Sequence, residues 1–130
     1  MKNGTWVQAM DSKNWDETAL DNLYWLLQAT KASVVISSSW RIIKNDIDWW
    51  NTQFASVGLP KLVVGITPIS STGFRGREIQ AYVEEHDVKN YIILDDESDF
   101  LEGQPLIKID GNVGLTLANT HKAKEMLNAN

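Results

Sequence analysis

The segment that most constrains this chain is Tyr91-Ile92-Ile93-Leu94-Asp95-Asp96-Glu97-Ser98-Asp99. An uninterrupted apolar, β-favouring run reads as a strand buried on both faces, as inside a parallel sheet covered by helices. Carboxylates at its C-terminal end then fall where open α/β sheets bind ligands. Crowded carboxylates repel one another, and a cation such as Mg2+ is their natural partner. An acidic turn that merely ends a strand is the plainer account, because turns favour Asp and Ser. What else the fold brings to that edge decides between them.

The rest of the chain supplies a sheet for this strand to join. Leu20, Leu23, Tyr24 and Leu27 recur at helical spacing, with Asp16 as N-cap and Trp15 and Leu20 as a hydrophobic staple. Ala32-Ser33-Val34-Val35-Ile36 reads as a buried strand that runs into Ser37-Ser38-Ser39-Trp40-Arg41. A second helix is expected from about Asp46 to Val57, with Ile47, Trp50, Phe54 and Val57 inward and Gly58 ending it. Lys61–Gly65 reads as a strand, and Arg75–His86 as a helix with Ile79, Tyr82 and Val83 inward. After the opening strand come a short strand within Pro105–Asp110 and a closing helix around Leu117–Leu127. Helices between most strands predict an α/β, Rossmann-like three-layer sandwich with a mostly parallel sheet. Residues 1–14 are polar apart from Trp6-Val7 and Ala9-Met10, and read as a short strand or an ordered loop.

The chain's 130 residues suit one domain with a real core. The net charge of −5 removes any global basic field for gripping duplex nucleic acid, leaving only local Arg and Lys for a nucleotide or a nucleic-acid end. Without cysteine, thiol catalysis, disulfides and Cys-based zinc sites are excluded. No apolar run approaches membrane-spanning length and no signal-like h-region opens the chain, so a cytoplasmic protein is expected.

Three polar clusters follow strands or open helices: Ser37–Arg41, Arg75-Gly76-Arg77 and Asp95–Asp99. In a parallel sheet the strand C-termini share one edge, where the first and third can meet. The arginines at a helix start add positive charge to that of the helix N-terminus. Hydroxyls, a guanidinium and metal-holding carboxylates together suit a phosphoryl group. Singly, each has a bland account. Ser-rich turns after strands are common, Arg75 and Arg77 suit a solvated helix start, and Trp40, Trp49 and Trp50 suit core or rim packing. His86 and His121 have no Ser or carboxylate arranged around them and read as surface residues.

Taken in order, Val34–Arg41, Gly65-Ile66-Thr67-Pro68, Arg75-Gly76-Arg77-Glu78-Ile79, Tyr91–Asp99 and Gly114-Leu115-Thr116 resemble the haloacid dehalogenase (HAD) superfamily. More narrowly, they resemble the HAD domains of Swiss Army Knife RNA-repair proteins. The resemblance covers the chain from Trp15 onward and implies a single HAD-like domain over 1–130, with 1–14 a flap remnant or irregular N-terminus. It implies that Ser37, with Ser38, hydrogen-bonds a phosphoryl oxygen, and that Arg75 neutralises phosphate and nucleophile, with Arg77 the second candidate. It also implies a Mg2+ site at Asp95 and Asp96 with Asp99 nearby. The implied reaction is phosphomonoester hydrolysis on a phosphorylated small molecule, a nucleotide or a nucleic-acid end.

One family element is missing. HAD phosphatases carry Asp-x-Asp at the end of the first strand, whose first Asp attacks phosphorus and whose second is general acid and base. No Asp-x-Asp-Gly occurs near the N-terminus; Asp46-x-Asp48 falls in the second helix, and Asp11 as nucleophile would put Lys13 in the acid/base position. A weak or inactive phosphatase-type domain is therefore expected, or a non-catalytic module for a phosphorylated ligand or a protein, or a fragment needing its N-terminal piece. The first strand is central in the family sheet, so its loss would bare two apolar edges. Direct pairing of the flanking strands, a strand from a homodimer mate or other partner chain, or Thr5–Met10 in the slot would each repair this.

Overall fold

A computed structural model describes residues 17–37, 45–71, 73–110 and 113–128, together with the backbone of 4–8. Five strands form one parallel sheet: β1 (Gly4–Gln8), β2 (Ser33–Ile36), β3 (Val63–Ile66), β4 (Asn90–Asp95) and β5 (Leu106–Lys108). Their spatial order is β3-β2-β1-β4-β5. The chain steps outward from β1 to β2 and β3, then returns to lie beside β1 as β4. This reversal places a topological switch point between β1 and β4, at whose C-terminal ends open α/β sheets bind ligands.

The central slot is filled by the chain's own N-terminal residues. Gly4–Gln8, inside the stretch expected to be irregular, pairs with β2 from Thr5↔Ser33 to Gln8↔Ile36 and with β4 from Gly4↔Asn90 to Gln8↔Leu94. Both flanking edges are thereby hydrogen-bonded, so the structural motive for a donated strand lapses. Of the three repairs, the third is the one found.

The strand alternation sorts two cores. Val34, Ile36, Ile92 and Leu94 point to one face, where α1 (Glu17–Thr30), α2 (Ile47–Ser56) and α4 (Leu117–Asn128) bring Leu23, Leu26, Leu27, Trp50, Phe54, Ala123 and Leu127. Val35 and Ile93 point to the other, against Ile79 and Tyr82 of α3 (Arg75–Glu85). A residue pointing the same way as Val35 or Ile93 at the strand ends therefore meets α3.

Several helix details differ from the periodicity. The buried stripe of α1 is Leu23, Leu26, Leu27 and Thr30, while Tyr24 is exposed. In α2 only Trp50 and Phe54 are buried; Ile47 and Val57 are both 38% exposed, since they lie at its two ends, where the helix leaves the sheet. Asp46 caps α2 by accepting from Asp48 N, and Gly58 follows with φ +84°, a conformation glycine adopts without Cβ strain. The N-cap and staple expected at Asp16 and Trp15 lie outside the described residues.

Candidate active site

At the C-terminal edge, alternation carries Ser37 and Asp95 to the α3 face, one position beyond Ile36 and Leu94. Both are buried, Ser37 completely. Thr67 joins them from the end of β3, where its backbone N–H donates to Ile36 O at 2.9 Å. α3 begins over this edge. Its first residue, Arg75, places Nη1 2.7 Å from Asp95 Oδ2, an ion pair whose side chains are 12% and 1% exposed. The other carboxylate oxygen, Oδ1, accepts from Glu97 N at 2.9 Å, closing a local turn.

Burial pushes the Asp95 carboxyl up from its ordinary value, against the Glu97 N–H and the Arg75 charge that pull it down; Asp96 beside it pushes the same way as burial. Desolvation wins because the carboxyl sits at the sheet's buried end. The Glu97 N–H and the Arg75 guanidinium offset part of that burial cost.

Asp99 turns toward the start of α3: Oδ2 accepts from Arg75 N at 3.3 Å, and its carbonyl accepts from Gly76 N at 3.0 Å. Its Oδ1 is buried and meets no hydrogen-bond donor among the described residues. Asp96 is exposed, as are Glu97 and Ser98, whose Oγ accepts from Lys108 Nζ at 2.7 Å. Arg77 points away, over the Phe74 ring at 5.9 Å, and is exposed. Of the expected residues, then, Ser37, Arg75, Asp95 and Asp99 gather at the edge, Asp96 lies at its rim and Arg77 stands apart. Ser38 and Asp11 lie outside the described residues.

One family model matches residues 2–120, that of the HAD domain in Swiss Army Knife RNA repair proteins. The chain belongs to this family. No curated protein and no solved structure matches it. The matched residues include all five strands, β1 among them. HAD domains generally use Mg2+.

Among the described residues, no three Asp, Glu or His side chains converge on one point, so Asp95, Asp96 and Asp99 do not form a closed cage. Mg2+ asks for less, since it is usually held by one or two carboxylates with waters and phosphate oxygens completing the octahedron. The buried, donorless Oδ1 of Asp99 and the adjacent carboxylates of Asp95 and Asp96 fit that smaller requirement. Sequence reasoning missed two contributors to this edge. Gly76 admits the close approach of the loop after β4, and Gln104 ties that loop to α3; neither residue type carries a chemical signature.

Also among the described residues, no helix is long and apolar enough to cross a membrane. His86 is exposed, stacks on Tyr82 and lines a cavity with Thr67 beyond the end of β3, whereas His121 is exposed with its ring edge-on to Trp25.

Proposed function

We propose that this HAD domain binds a phosphoryl group between Ser37 and Arg75, with Mg2+ when bound held by one or two carboxylates drawn from Asp95, Asp96 and Asp99, and that its hydrolysis of phosphomonoesters is weak or absent. The observation behind this reading is the Arg75–Asp95 pair at the switch point beside a β1 that holds no carboxylate: Gly4, Thr5, Trp6, Val7 and Gln8. The guanidinium offers planar, always-charged donors suited to phosphate oxygens. Bound Mg2+ would neutralise phosphate charge and orient the group. The Ser37 hydroxyl adds a donor from β2, and the N-terminus of α3 adds favourable potential. Among the described residues, β1 supplies no nucleophile. No carboxylate of β1 is there to attack phosphorus, so binding outlasts chemistry. Phosphorylated small molecules, nucleotides and nucleic-acid ends are the ligand class, and a cytoplasmic setting suits them.

Titration with tungstate, a tetrahedral phosphate mimic, with and without Mg2+ tests this directly. Wild type is expected to bind and Arg75→Met to bind at least about tenfold more weakly, the loss of one charge-assisted contact. Mg2+-dependent turnover of p-nitrophenyl phosphate at ordinary enzyme rates, abolished by Asp95→Asn, would sink the claim of impaired hydrolysis. The absence of heat or shift with every oxyanion tried would sink the pocket itself.

A further inference from the structure

Helix α3 begins without a cap of its own, because Phe74 holds the N-cap position and makes no side-chain cap hydrogen bond. Its first turn is instead held by the loop after β4. Asp99 accepts from Arg75 N and Gly76 N, and Gln104 holds the same turn from the other end of that loop. Gln104 Nε2 donates to Gly76 O at 2.9 Å while Oε1 accepts from Leu101 N at 2.7 Å. The approach is backbone-close. A Cβ at position 76 would lie 2.7 Å from Leu101 N and 2.8 Å from Phe100 Cα and Gln104 Oε1.

We infer that Gln104 is a positioning residue for the phosphoryl site, fixing the first turn of α3 so that Arg75 meets Asp95. Arg75 has a long side chain whose many rotamers must be given up to hold one geometry. Charge-assisted contacts keep their strength only when the carrying backbone is held to within about 0.5 Å. One amide here joins two segments that would otherwise move separately: the loop after β4 through Leu101, and α3 through Gly76. Gln104 touches neither Arg75 nor Asp95 in any of these bonds, so its effect on them passes through the backbone of Gly76. This role presupposes the oxyanion site proposed above, where Arg75 is the cation facing the ligand.

Two variants separate the positioning role from mere packing. Gln104→Leu removes both hydrogen bonds at nearly constant volume; Gln104→Glu keeps the acceptor for Leu101 N and loses the donor to Gly76 O. The readouts are solvent exchange of the Arg75 Nε–H in nitrogen-15 NMR, assigned by its absence in Arg75→Met, and tungstate affinity. In Gln104→Leu, exchange is expected to quicken and tungstate binding to weaken, each by about tenfold, with backbone amide shifts of β2 and α4 unchanged. Gln104→Glu should fall between. A folded Gln104→Leu with wild-type Arg75 exchange and wild-type affinity overturns the inference. If wild type binds no tungstate yet Arg75 exchange responds to Gln104→Leu, the oxyanion reading fails and the positioning stands. Should Gln104→Leu not fold, Gln104→Glu is read by the same two measurements against the same expectations.

Discussion

The Arg75 guanidinium lies 2.7 Å from the Asp95 carboxylate, a contact between residues 20 apart that joins the first turn of α3 to the last position of β4. Nothing local creates it. β4 lies beside β1 because the strand order reverses there, and α3 must cross the opposite face of the sheet to reach it. The pair is therefore a product of topology, and it stands where parallel sheets of this kind put their ligands.

Removing one partner of this pair should be more harmful than the pair is helpful. Arg75→Met leaves Asp95, whose side chain is 1% exposed, without the cation that offsets its burial. A loss of about 3 kcal/mol in unfolding free energy at pH 7 is expected, measured by urea denaturation. A loss within the error of the fits would show that solvent or another group already compensates Asp95.

The pH dependence has a definite sign. The folded-state pKa of Asp95 is raised above its ordinary 3.8, mainly by burial. The native state thus holds this proton more tightly than the unfolded chain. Its contribution to stability is fully present below 3.8 and is lost as pH rises through the higher folded value. Comparing wild type with Asp95→Asn isolates the group. Between pH 3 and pH 7 the stability difference should move in favour of the Asn variant; movement the other way would mean that Arg75 and Glu97 N–H outweigh burial.

Much of this architecture is legible in the residues, for identifiable reasons. β4 is unmistakable because Tyr91–Leu94 is apolar on both faces, and the strand it forms, Asn90–Asp95, ends on the first carboxylate of the acidic run. The helices are legible through their leucines, although the α1 stripe rotates to Leu23, Leu26, Leu27 and Thr30, because α1 packs on α4 as well as on the sheet. β1 is harder. Gly-Thr-Trp-Val-Gln has little strand signal of its own and becomes one by pairing on both sides, a tertiary effect that local propensity does not contain. At the C-terminal edge, the positions of Ser37 and Asp95 are foreseeable from the ends of their strands, and that of Arg75 from the start of its helix. The turning of Asp99 toward the α3 backbone and the bonds of Gln104 are not, because both depend on how closely Gly76 lets two loops approach.

Gly76 is the point at which that approach can be broken. Gly76→Ala inserts a Cβ 2.7 Å from one backbone atom and 2.8 Å from another, neither of which can swing aside. Destabilisation of about 1–3 kcal/mol is expected from overpacking, together with weakened tungstate binding as Arg75 shifts. Wild-type values for both would mean that α3 and the loop after β4 are not in contact.

Gly65 offers a second steric test, away from the charges. A Cβ there would collide with the Tyr82 hydroxyl oxygen and lie 2.8 Å from its ring carbon Cζ. Gly65→Ala should destabilise by about 2 kcal/mol. In the Tyr82→Phe background the cost should shrink but not vanish, since the ring carbon remains. A double-mutant cycle by thermal or chemical denaturation reads the coupling, and strictly additive effects would separate these two residues in space.

The last prediction concerns the missing nucleophile. Gln8 pairs with Ile36 and Leu94, the residues immediately before Ser37 and Asp95. The residue that follows Gln8 in the sequence is Ala9, and Asp11 comes two positions later. Replacing Ala9 by aspartate would therefore write Asp-x-Asp over positions 9 and 11, beginning at the end of the central strand. In phosphatases of this superfamily the first of these carboxylates attacks phosphorus and the second moves the proton. Ala9→Asp is expected to give Mg2+-dependent release of phosphate from p-nitrophenyl phosphate above the wild-type level. A further Asp11→Asn change should remove most of the gain, because general acid–base catalysis contributes about 10²–10⁴-fold. An Ala9→Asp protein that folds, binds tungstate and turns over nothing would show that the register of β1, or the phosphatase chemistry assigned to this edge, is wrong. Gain of activity would mean that the Ser37, Arg75 and Asp95 constellation is a working half of a site whose other half lacks one carboxylate.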